Sequence, residues 1–323
     1  MSQSLQFYIP FFKGLAFLKE AVESVIAQSN PHWTLVVMDD CGPEGGRARD
    51  WIASLADERI SYLRHEQNKG MVANWNSCLD HASLQVSTSN KHSKHFDLVT
   101  LLHDDDRLLP NYVELMLTEH RSTPSAALYF CGAEIIDTNG KPIFSVPDAV
   151  KKLIAPRKDS FHLQGSEAFE ALFAGCFIMC PTVCYNLTLL GARRFTLGLK
   201  QVQDMDFYLR LLDEGFLLKG TSQKAYAYRR HSSNATSLQT ASLLRFEEEV
   251  ALYKAWSSKL VSKGFSRAAA AARHKTIIKL NLLYCIAQDL LSLSPASAAT
   301  KARFLFNRVL LSRSNTPLES PTI

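Results

Sequence analysis

The sequence predicts an α/β fold, in which a mainly parallel, doubly wound sheet is flanked by helices and followed by a C-terminal helical extension. Three observations support this prediction. Short apolar stretches alternate with amphipathic ones through the first half of the chain, and two of the apolar stretches run directly into aspartates. After Ala241 the residue pattern is typical of helices.

The elements of the first half follow from periodicity. Strands are predicted where short apolar runs occur, at 5–9, 34–38, 59–63, 96–102 and 127–131. Helices are predicted at 15–28, where the apolar residues form one stripe, at 71–82 after a glycine, and at 110–120 with proline at the start. The stretch DTNGKP at 137–142 predicts a turn. Alternation of strands and helices favours parallel pairing, because each helix carries the chain back across the sheet.

Acidic residues follow two of these predicted strands. Asp39 and Asp40 end the second strand, and Asp104, Asp105 and Asp106 end the fourth. Doubly wound sheets bind ligands at the carboxyl ends of their strands, so we expect both groups at one functional edge. Three consecutive aspartates repel one another, and they form either a solvated turn or a site for something positive.

The pattern is less regular from residue 151 to residue 240. A helix is predicted near 166–173, followed by the apolar patch FIMCPTVCY and by QVQDMDFYLRLLDEG, whose apolar residues indicate a helix packed on the sheet. Asp204 and Asp206 fall in the first turn of that helix, where simple N-terminal capping would also explain them. We expect a domain at 1–240, a helical extension at 241–313 and a disordered tail at 314–323.

Composition indicates a globular, soluble chain of 323 residues, with 46% hydrophobic and 21% charged residues. The net charge of +5 is unevenly placed, because residues from Ala241 onward carry 12 basic and 5 acidic side chains. Such a tail is typical either of contact with an anionic surface, such as membrane headgroups, or of an ordinary solvated helical face.

Cysteine usage favours a reducing, intracellular compartment. The seven cysteines have no framework spacing, and no basic signal-peptide region precedes them. Cys176, Cys180 and Cys184 recur at intervals of four, which is compatible with a metal site, but buried thiols are the favoured explanation. No apolar run reaches the ~18–20 residues that a membrane-spanning helix needs.

Several chemistries are excluded by missing motifs. The chain has no P-loop, no glycine-rich dinucleotide motif, no G-x-S-x-G, no H-E-x-x-H and no EF-hand loop. The remaining feature is a carboxylate cluster suited to a hard divalent cation, Mg²⁺ or Mn²⁺, that also contacts substrate phosphates. That arrangement points to a nucleotide-diphosphate donor, whose leaving group the cation would neutralise, while a second carboxylate takes a proton from an attacking hydroxyl.

A family resemblance runs from about residue 5 to residue 237. It is carried by IPFF, AVESVIAQSNPHW, VVMDD, RISYLRHEQNKGMVANWN, LLHDDDRLLPNY, QDMDFYLRLL and YRRHSSNATS, in this order and spacing. In these motifs the chain resembles family 2 glycosyltransferases. The resemblance implies the GT-A fold, which is Rossmann-like, and a catalytic domain over 1–240.

The resemblance also assigns residues to the donor. It implies that Pro10 and Phe12, after the first strand, help to hold the nucleotide base. Asp40, or else Asp39, takes the place of the acid that hydrogen-bonds the base. Asn68 and Gly70 match a loop beside the nucleotide.

The metal and the base are assigned in the same way. The Asp-x-Asp motif of the family falls on His103, Asp104 and Asp105, so that histidine replaces its first acid. The resemblance implies that Asp105 binds the metal, that Asp104 contacts ribose or metal, and that His231 joins the metal or the diphosphate. Asp106 is expected to cap the next helix. The family's general base corresponds to Asp204, and Asp206 is expected to hold local structure.

Two further arginines have open roles. Arg229 and Arg230 precede the histidine of the motif RRHSSN, and they either meet phosphate or face water.

The implied function is that of an inverting glycosyltransferase. It would move a sugar from a nucleotide-diphosphate donor to the hydroxyl of a saccharide or lipid-linked acceptor, in surface polysaccharide or glycolipid assembly, with Mn²⁺ or Mg²⁺ as cofactor. A non-catalytic nucleotide-sugar binder or scaffold and a nucleotidyltransferase are the alternatives. The expected location is cytoplasmic, at the inner face of the plasma membrane, with no nucleic-acid partner. Residues 301–313 would contact an anionic membrane, or pack on the catalytic domain or on a second subunit.

Overall fold

A nine-stranded sheet with helices on both faces forms the centre of the protein, and the predicted α/β class is confirmed. The computed structural model describes residues 3–88, 95–231 and 239–311. Its strand order is β3-β2-β1-β4-β8-β6-β9-β5, with β7 paired to β9. The strands are β1 Gln3–Phe11, β2 Trp33–Asp39, β3 Ile60–Arg64, β4 His95–Leu101, β5 Arg107–Leu108, β6 Ala126–Ile136, β7 Ser160–Leu163, β8 Val183–Asn186 and β9 Leu217–Arg229.

Parallel pairing is restricted to one half of the sheet and to one pair in the other half. β3, β2, β1 and β4 are parallel neighbours, as the strand–helix alternation of their sequence predicts. β8 is antiparallel to both β4 and β6, whereas β6 and β9 are parallel. The sheet therefore departs from the predicted, mainly parallel pairing at β8. This is where the strand–helix alternation of the sequence breaks down, because β8 is entered from a single 3₁₀ turn instead of a crossover helix.

The helices cover both faces of the sheet. They are α1 Leu15–Ile26, α2 Gly45–Ser54, α3 Met71–Thr88, α4 Tyr112–Ser122, α5 Val146–Ile154, α6 Gly165–Ala174, α7 Leu187–Leu190, α8 Gln203–Asp213, α9 Leu244–Ser262, α10 Ser266–His274, α11 Thr276–Leu291 and α12 Pro295–Phe304. Helix α2 was not predicted, because Ala48 and Ile52 are its only buried apolar side chains. Strand β9 and helix α5 were also not predicted, since the sequence between 146 and 229 lacks clear periodicity.

Alternation along the strands divides the apolar core into two layers. In β1, Phe7, Ile9 and Phe11 face one layer, while Tyr8 faces the other. The C-terminal helices join the layer that contains Tyr8, and there the ring of Phe173 on α6 lies 4.8 Å from that of Tyr253 on α9. The residues after 241 are therefore helical, as predicted, and they bury apolar surface in the core layer that contains Tyr8.

Three other expectations concern the chain as a whole. All seven cysteines are free thiols. Within the described ranges, no helix combines the length and the apolar character needed to cross a membrane. The tail at 314–323 lies outside the described residues, and the division at residue 240 remains a prediction.

Candidate active site at the carboxyl edge of the sheet

The ends of β1, β2 and β4 meet at one edge. The backbone N–H of Asp40 donates to the carbonyl of Phe11 (2.8 Å), and that of Leu102 donates to the carbonyl of Tyr8 (2.9 Å). The backbone of Phe12 also hydrogen-bonds the Asp104 carboxylate. Gly42 allows the loop after β2 to approach the backbone of Phe12 closely, since a Cβ atom at Gly42 would lie 1.7 Å from the carbonyl oxygen of Phe12. The edge therefore brings Asp40 and Asp104 to the two sides of the Phe11–Phe12 backbone.

The two aspartates that end β2 have different surroundings. Asp39 is fully buried, and its carboxylate accepts hydrogen bonds from Tyr62, from Nη1 of Arg64 (2.5 Å) and from the backbone of Gly42 (2.8 Å). These partners tie Asp39 to β3 and to the loop after β2. Tyr62 and Arg64 were not singled out from the sequence.

Asp40 is joined to the loop that the resemblance assigned to the nucleotide. Its two carboxylate oxygens accept the backbone N–H groups of Lys69 (2.7 Å) and Gly70 (2.8 Å). Gly70 has φ 86°, a conformation that favours glycine, and α3 begins at the next residue. Asn68 is exposed beside this turn, and Pro10 is half-buried near the end of β1. Each oxygen of Asp40 retains a lone pair for a further donor.

A group of imidazole and carboxylate side chains follows β4. One ligand atom from each of His103, Asp105 and Asp106 lies within 4.8 Å of the others. Nε2 of His231 lies 2.9 Å from Oδ2 of Asp105 and so adds a second imidazole to the group. This donor set fits a hard divalent cation such as Mg²⁺ or Mn²⁺. Sequence reasoning assigned Asp105 and His231 to the metal but left out His103 and Asp106.

The three aspartates differ in electrostatics. Burial raises the pKa of Asp105, but the His231 hydrogen bond and the charges of His103 and His231 outweigh it, and the net shift is downward. Burial and the charge of Asp105 raise the pKa of Asp104 well above its usual value. The same two causes raise the pKa of Asp106. Asp105 is therefore the carboxylate most readily ionised, which suits it to a cation.

The expectation that Asp106 caps the next helix is wrong. Its buried carboxylate turns toward β9, where it accepts the hydroxyl of Tyr226 (3.0 Å) and the backbone N–H of Arg229 (2.6 Å). Helix α4 begins at Tyr112 after Asn111. Because β5 pairs with β9 directly after this residue, the chain has already turned away from the helix at Asp106.

Arg229 neither faces water nor is free to meet phosphate. Its side chain is 0% exposed, and it donates to the carbonyl of Asp105 (2.6 Å) and to the carboxylate of Glu20 (2.6 Å). Two more carbonyls, those of Asp137 and Thr138, accept from the same guanidinium. Arg229 thus ties the loop after β4 to α1 and to the turn after β6. The alternation in AYAYR puts it on the same side of β9 as two buried alanines, but that strand was not predicted.

Arg230 is likewise occupied, because it forms an ion pair with Asp148 of α5 (2.8 Å). The prediction that these two arginines face phosphate or water is therefore wrong for Arg229, and Arg230 is bound to a carboxylate of the protein itself.

Asp204 lies in the first turn of α8, where the sequence placed it. Burial raises its pKa, and the hydrogen bond from Met205 (2.8 Å) and the charge of Lys151 oppose that shift. A carboxylate with a raised pKa is a stronger base than a free aspartate. Asp206, two positions further along the first turn, accepts from Thr196 (2.7 Å) and Arg210 (2.9 Å), which confirms its expected role in local structure.

Helix α5 contacts the end of β9 beside His231 and places a positive charge near Asp204. Its residue Asp148 pairs with Arg230, the neighbour of His231, and its residue Lys151 acts electrostatically on Asp204. A series of rings runs from His103 to α8, in which Trp75 lies 5.3 Å from both His103 and Phe195, and Phe195 lies 4.6 Å from Phe207 of α8.

A sheet with an acidic group at its carboxyl edge is the arrangement of an α/β protein that binds its ligand at that edge. The chain belongs to glycosyl transferase family 2, whose sequence profile matches residues 7–171. The predicted family is thereby confirmed.

Relatives and solved structures agree with this assignment. A Bacillus subtilis protein named as a teichuronic acid biosynthesis glycosyltransferase, TuaG, is 25% identical over 229 residues, which are 71% of this chain and 79% of TuaG. WfgD from Escherichia coli, named as a UDP-Glc:α-D-GlcNAc-diphosphoundecaprenol β-1,3-glucosyltransferase, is 25% identical over 63% of this chain and 66% of its own length. The crystal structure of TarS from S. aureus in complex with UDP-GlcNAc has a TM-score of 0.56 at 12% identity, over 94% of this chain and 92% of that one. This last likeness confirms the GT-A fold.

Proposed function

We propose that the protein is an inverting glycosyltransferase that uses a nucleotide-diphosphate sugar and an acceptor hydroxyl. The proposal is carried by the presence, in a family 2 chain, of a carboxylate of raised pKa, Asp204 in the first turn of α8, together with the His103–Asp105–Asp106 group at the edge of the sheet. A non-catalytic nucleotide-sugar binder needs no such base, so the arrangement favours an enzyme.

The donor nucleotide would lie along the edge formed by β1 and β2. Asp40 would bond the base with its remaining lone pairs, and Gly70 and Asn68 would line the same pocket. Pro10 and Phe12 would contact the base from the end of β1. Asp104 would contact the ribose, because it already lies against the backbone of Phe12.

Asp105 and His231 would hold the cofactor, Mn²⁺ or Mg²⁺, with His103 and Asp106 beside them. A bound divalent cation supplies positive charge that stabilises a departing diphosphate. The depressed pKa of Asp105 keeps that carboxylate anionic, and Arg229 fixes its backbone through the carbonyl oxygen.

Asp204 would act as general base. It would take the proton of the acceptor hydroxyl while the hydroxyl oxygen attacks the anomeric carbon of the donor. The bond from that carbon to the diphosphate oxygen breaks, the electron pair leaves with the nucleoside diphosphate, and the anomeric configuration inverts. Asp204 then returns the proton to solvent.

The relatives suggest where this reaction takes place. TuaG and WfgD are named for teichuronic acid biosynthesis and for a diphosphoundecaprenol acceptor, which supports a saccharide or lipid-linked acceptor and a role in bacterial surface polysaccharide or glycolipid assembly. Such an acceptor would place the enzyme in the cytoplasm at the inner face of the plasma membrane. We further propose a catalytic domain at 1–240 and a helical extension at 241–313.

The C-terminal part of the extension would contact an anionic membrane. In the described part of 301–313, Phe306, Leu310 and Leu311 are exposed, whereas Phe304 and Val309 pack inward. Packing on the catalytic domain accounts for the inward residues, and the exposed ones remain available for lipid or for a second subunit.

The test is incubation of the protein with Mn²⁺ and a panel of nucleotide sugars, followed by detection of transfer or slow hydrolysis. Release of a nucleoside diphosphate from one donor supports the proposal. Donor binding without any turnover would identify a binder instead, and release of pyrophosphate would identify a nucleotidyltransferase.

A further inference from the structure

The segment 141–158, which contains α5 and its flanking turns, carries an unusual combination of side chains. We call it the α5 segment. Its sequence, KPIFSVPDAVKKLIAPRK, has five basic residues and one acidic residue. Two of its large apolar side chains are strongly exposed, Phe144 at 81% and Leu153 at 74%, and Ile143 and Val146 are exposed as well.

Helix α5 has an inner and an outer face. Asp148 is buried on the inner face, where it pairs with Arg230. Ile154 also points inward, since a Cβ atom added at Gly175 would lie 2.3 Å from its Cδ1. Val146 and Leu153 are seven positions apart and share the outer face. The exposed apolar residues therefore form a stripe that the sheet does not cover.

The basic side chains of Lys152, Arg157 and Lys158 in the segment are exposed. The one carboxylate of the segment is occupied by Arg230, which belongs to another part of the chain. Across the described ranges, no ion pair is formed by Lys152, Arg157 or Lys158, whereas Lys141 acts electrostatically on Asp137. An exposed apolar stripe flanked by cationic side chains that have no anionic partner is the pattern of a helix that lies in a bilayer interface.

We propose that the α5 segment docks on an anionic lipid bilayer. Phe144 and Leu153 would enter the boundary between headgroups and acyl chains, and the basic residues would lie at the level of the anionic headgroups. The charge complementarity argues for lipid over a second copy of this chain, because the same basic residues in a symmetric contact would repel one another.

Docking at this place would orient the catalytic edge. Helix α5 is joined to Arg230 beside His231, and Lys151 acts electrostatically on Asp204. If the acceptor is lipid-linked, which rests on the proposed function, a bilayer held at α5 presents it next to the proposed base. The surface proposed here is separate in sequence from 301–313, so the two contacts can be tested independently.

The experiment is co-sedimentation of the full chain with vesicles of phosphatidylglycerol and phosphatidylethanolamine, compared with vesicles of phosphatidylcholine alone. Two double variants test the segment, Phe144→Ser with Leu153→Ser and Lys152→Glu with Lys158→Glu. Matched controls are Leu84→Ser, at an exposed leucine of α3 (62%), and Arg49→Glu on α2. We expect each double variant to lower the partition coefficient on anionic vesicles at least about tenfold, while the controls change it less than about twofold.

Four results would overturn the proposal. The first is that the wild type does not bind anionic vesicles, and the second is that it binds neutral vesicles equally well. The third is that the double variants bind normally while Phe306→Ser with Leu310→Ser abolishes binding, because the contact then belongs to 301–313. The fourth is that the wild type is a dimer by light scattering and the Phe144/Leu153 variant is a monomer. Thermal shift with nucleoside diphosphates and Mn²⁺, measured on the same variants, reports on the proposed function separately.

Discussion

Nε2 of His231 lies 2.9 Å from Oδ2 of Asp105, although 126 positions separate the two residues along the chain. His231 is held there because β9 pairs with β5 and ends two residues before it, while Arg229 bonds the carbonyl of Asp105. The group formed by His103, Asp105, Asp106 and His231 is therefore assembled from the loop after β4 and the end of β9. Its geometry depends on contacts that hold these two segments together.

Replacing Asp204 by Asn should abolish transfer and leave donor binding unchanged. The amide keeps the size of the side chain and its capacity to accept from Met205, but it cannot take a proton from the acceptor. We expect kcat to fall by about 10²–10⁴-fold, the range for loss of a general base. Single-turnover assays and calorimetric titration with the donor would measure the two quantities.

Asp206→Asn is the matched control for that substitution. It lies in the same helical turn, but its carboxylate bonds Thr196 and Arg210. Asp206→Asn should lower the free energy of unfolding slightly and preserve most of the transfer activity. Equal loss of activity in the two variants would mean that the first turn of α8 matters for structure and not for proton transfer.

Asp204→Asn should also be more stable than the wild type at neutral pH. Burial raises the folded-state pKa of Asp204 above the ordinary value of 3.8, so the folded state holds a proton that the unfolded state releases. That contribution is complete below 3.8 and is lost as pH rises through the folded pKa, whereas asparagine does not titrate. Urea unfolding at several pH values should show a difference between variant and wild type that is near zero in acid and grows with pH. A difference that shrinks with rising pH would contradict the direction of the shift.

Local patterns predicted the first half of this fold well. Strands β1 to β4 and helices α1 and α4 occur within two residues of their predicted places, because each shows clear apolar periodicity and a Gly, Pro or Asp boundary. Helix α3 begins where it was predicted and continues six residues beyond the predicted end. The same rule placed Asp40 and Asp104 at one edge, since both follow parallel strands. These features depend on residues that are close together in the sequence, so one sequence is enough to predict them.

The residues that the sequence did not reveal depend on distant partners. Glu20, on a helix more than two hundred residues earlier, pairs with Arg229, and Asp148 pairs with Arg230. A buried arginine and a solvated one look alike in a sequence, because burial is set by the strand that carries them. The inward turn of Asp106 has the same origin, since its partners lie on β9.

Arg229→Ala should be far more damaging than Arg107→Ala. Both guanidinium groups pair with Oε2 of Glu20, at 2.6 Å and 3.6 Å, but Arg229 is 0% exposed and Arg107 is 33% exposed. Removal of the buried cation leaves the carbonyls of Asp105, Asp137 and Thr138 without their donor, at a cost of about 1–3 kcal/mol for each carbonyl that stays buried. Removal of the exposed one should cost about 1 kcal/mol or less.

The affinity of the protein for Mn²⁺ shows whether Arg229 positions Asp105 or only supports the fold. Because Arg229 fixes the backbone of Asp105, we expect Arg229→Lys to weaken Mn²⁺ binding by about 10–100-fold, even at a temperature where the variant is fully folded. Calorimetry with Mn²⁺ on folded protein would measure this. Unchanged Mn²⁺ affinity in a folded Arg229→Lys variant would show that the arginine supports the fold alone.

Gly42→Ala and Gly46→Ala should have opposite effects on stability. A Cβ atom at Gly42 would lie 1.7 Å from the carbonyl oxygen of Phe12, so the two backbone segments must separate, at a cost of about 1–3 kcal/mol or more. At Gly46, the second residue of α2, a Cβ atom meets nothing within 4 Å, and alanine should stabilise the helix by about 0.5–1 kcal/mol.

Because Phe12 lies in the proposed donor site and also bonds Asp104, Gly42→Ala should in addition raise KM for the donor, while Gly46→Ala leaves it unchanged. Denaturant unfolding and donor kinetics on the two variants measure both effects, and a normal donor KM in Gly42→Ala would remove Phe12 from the nucleotide site.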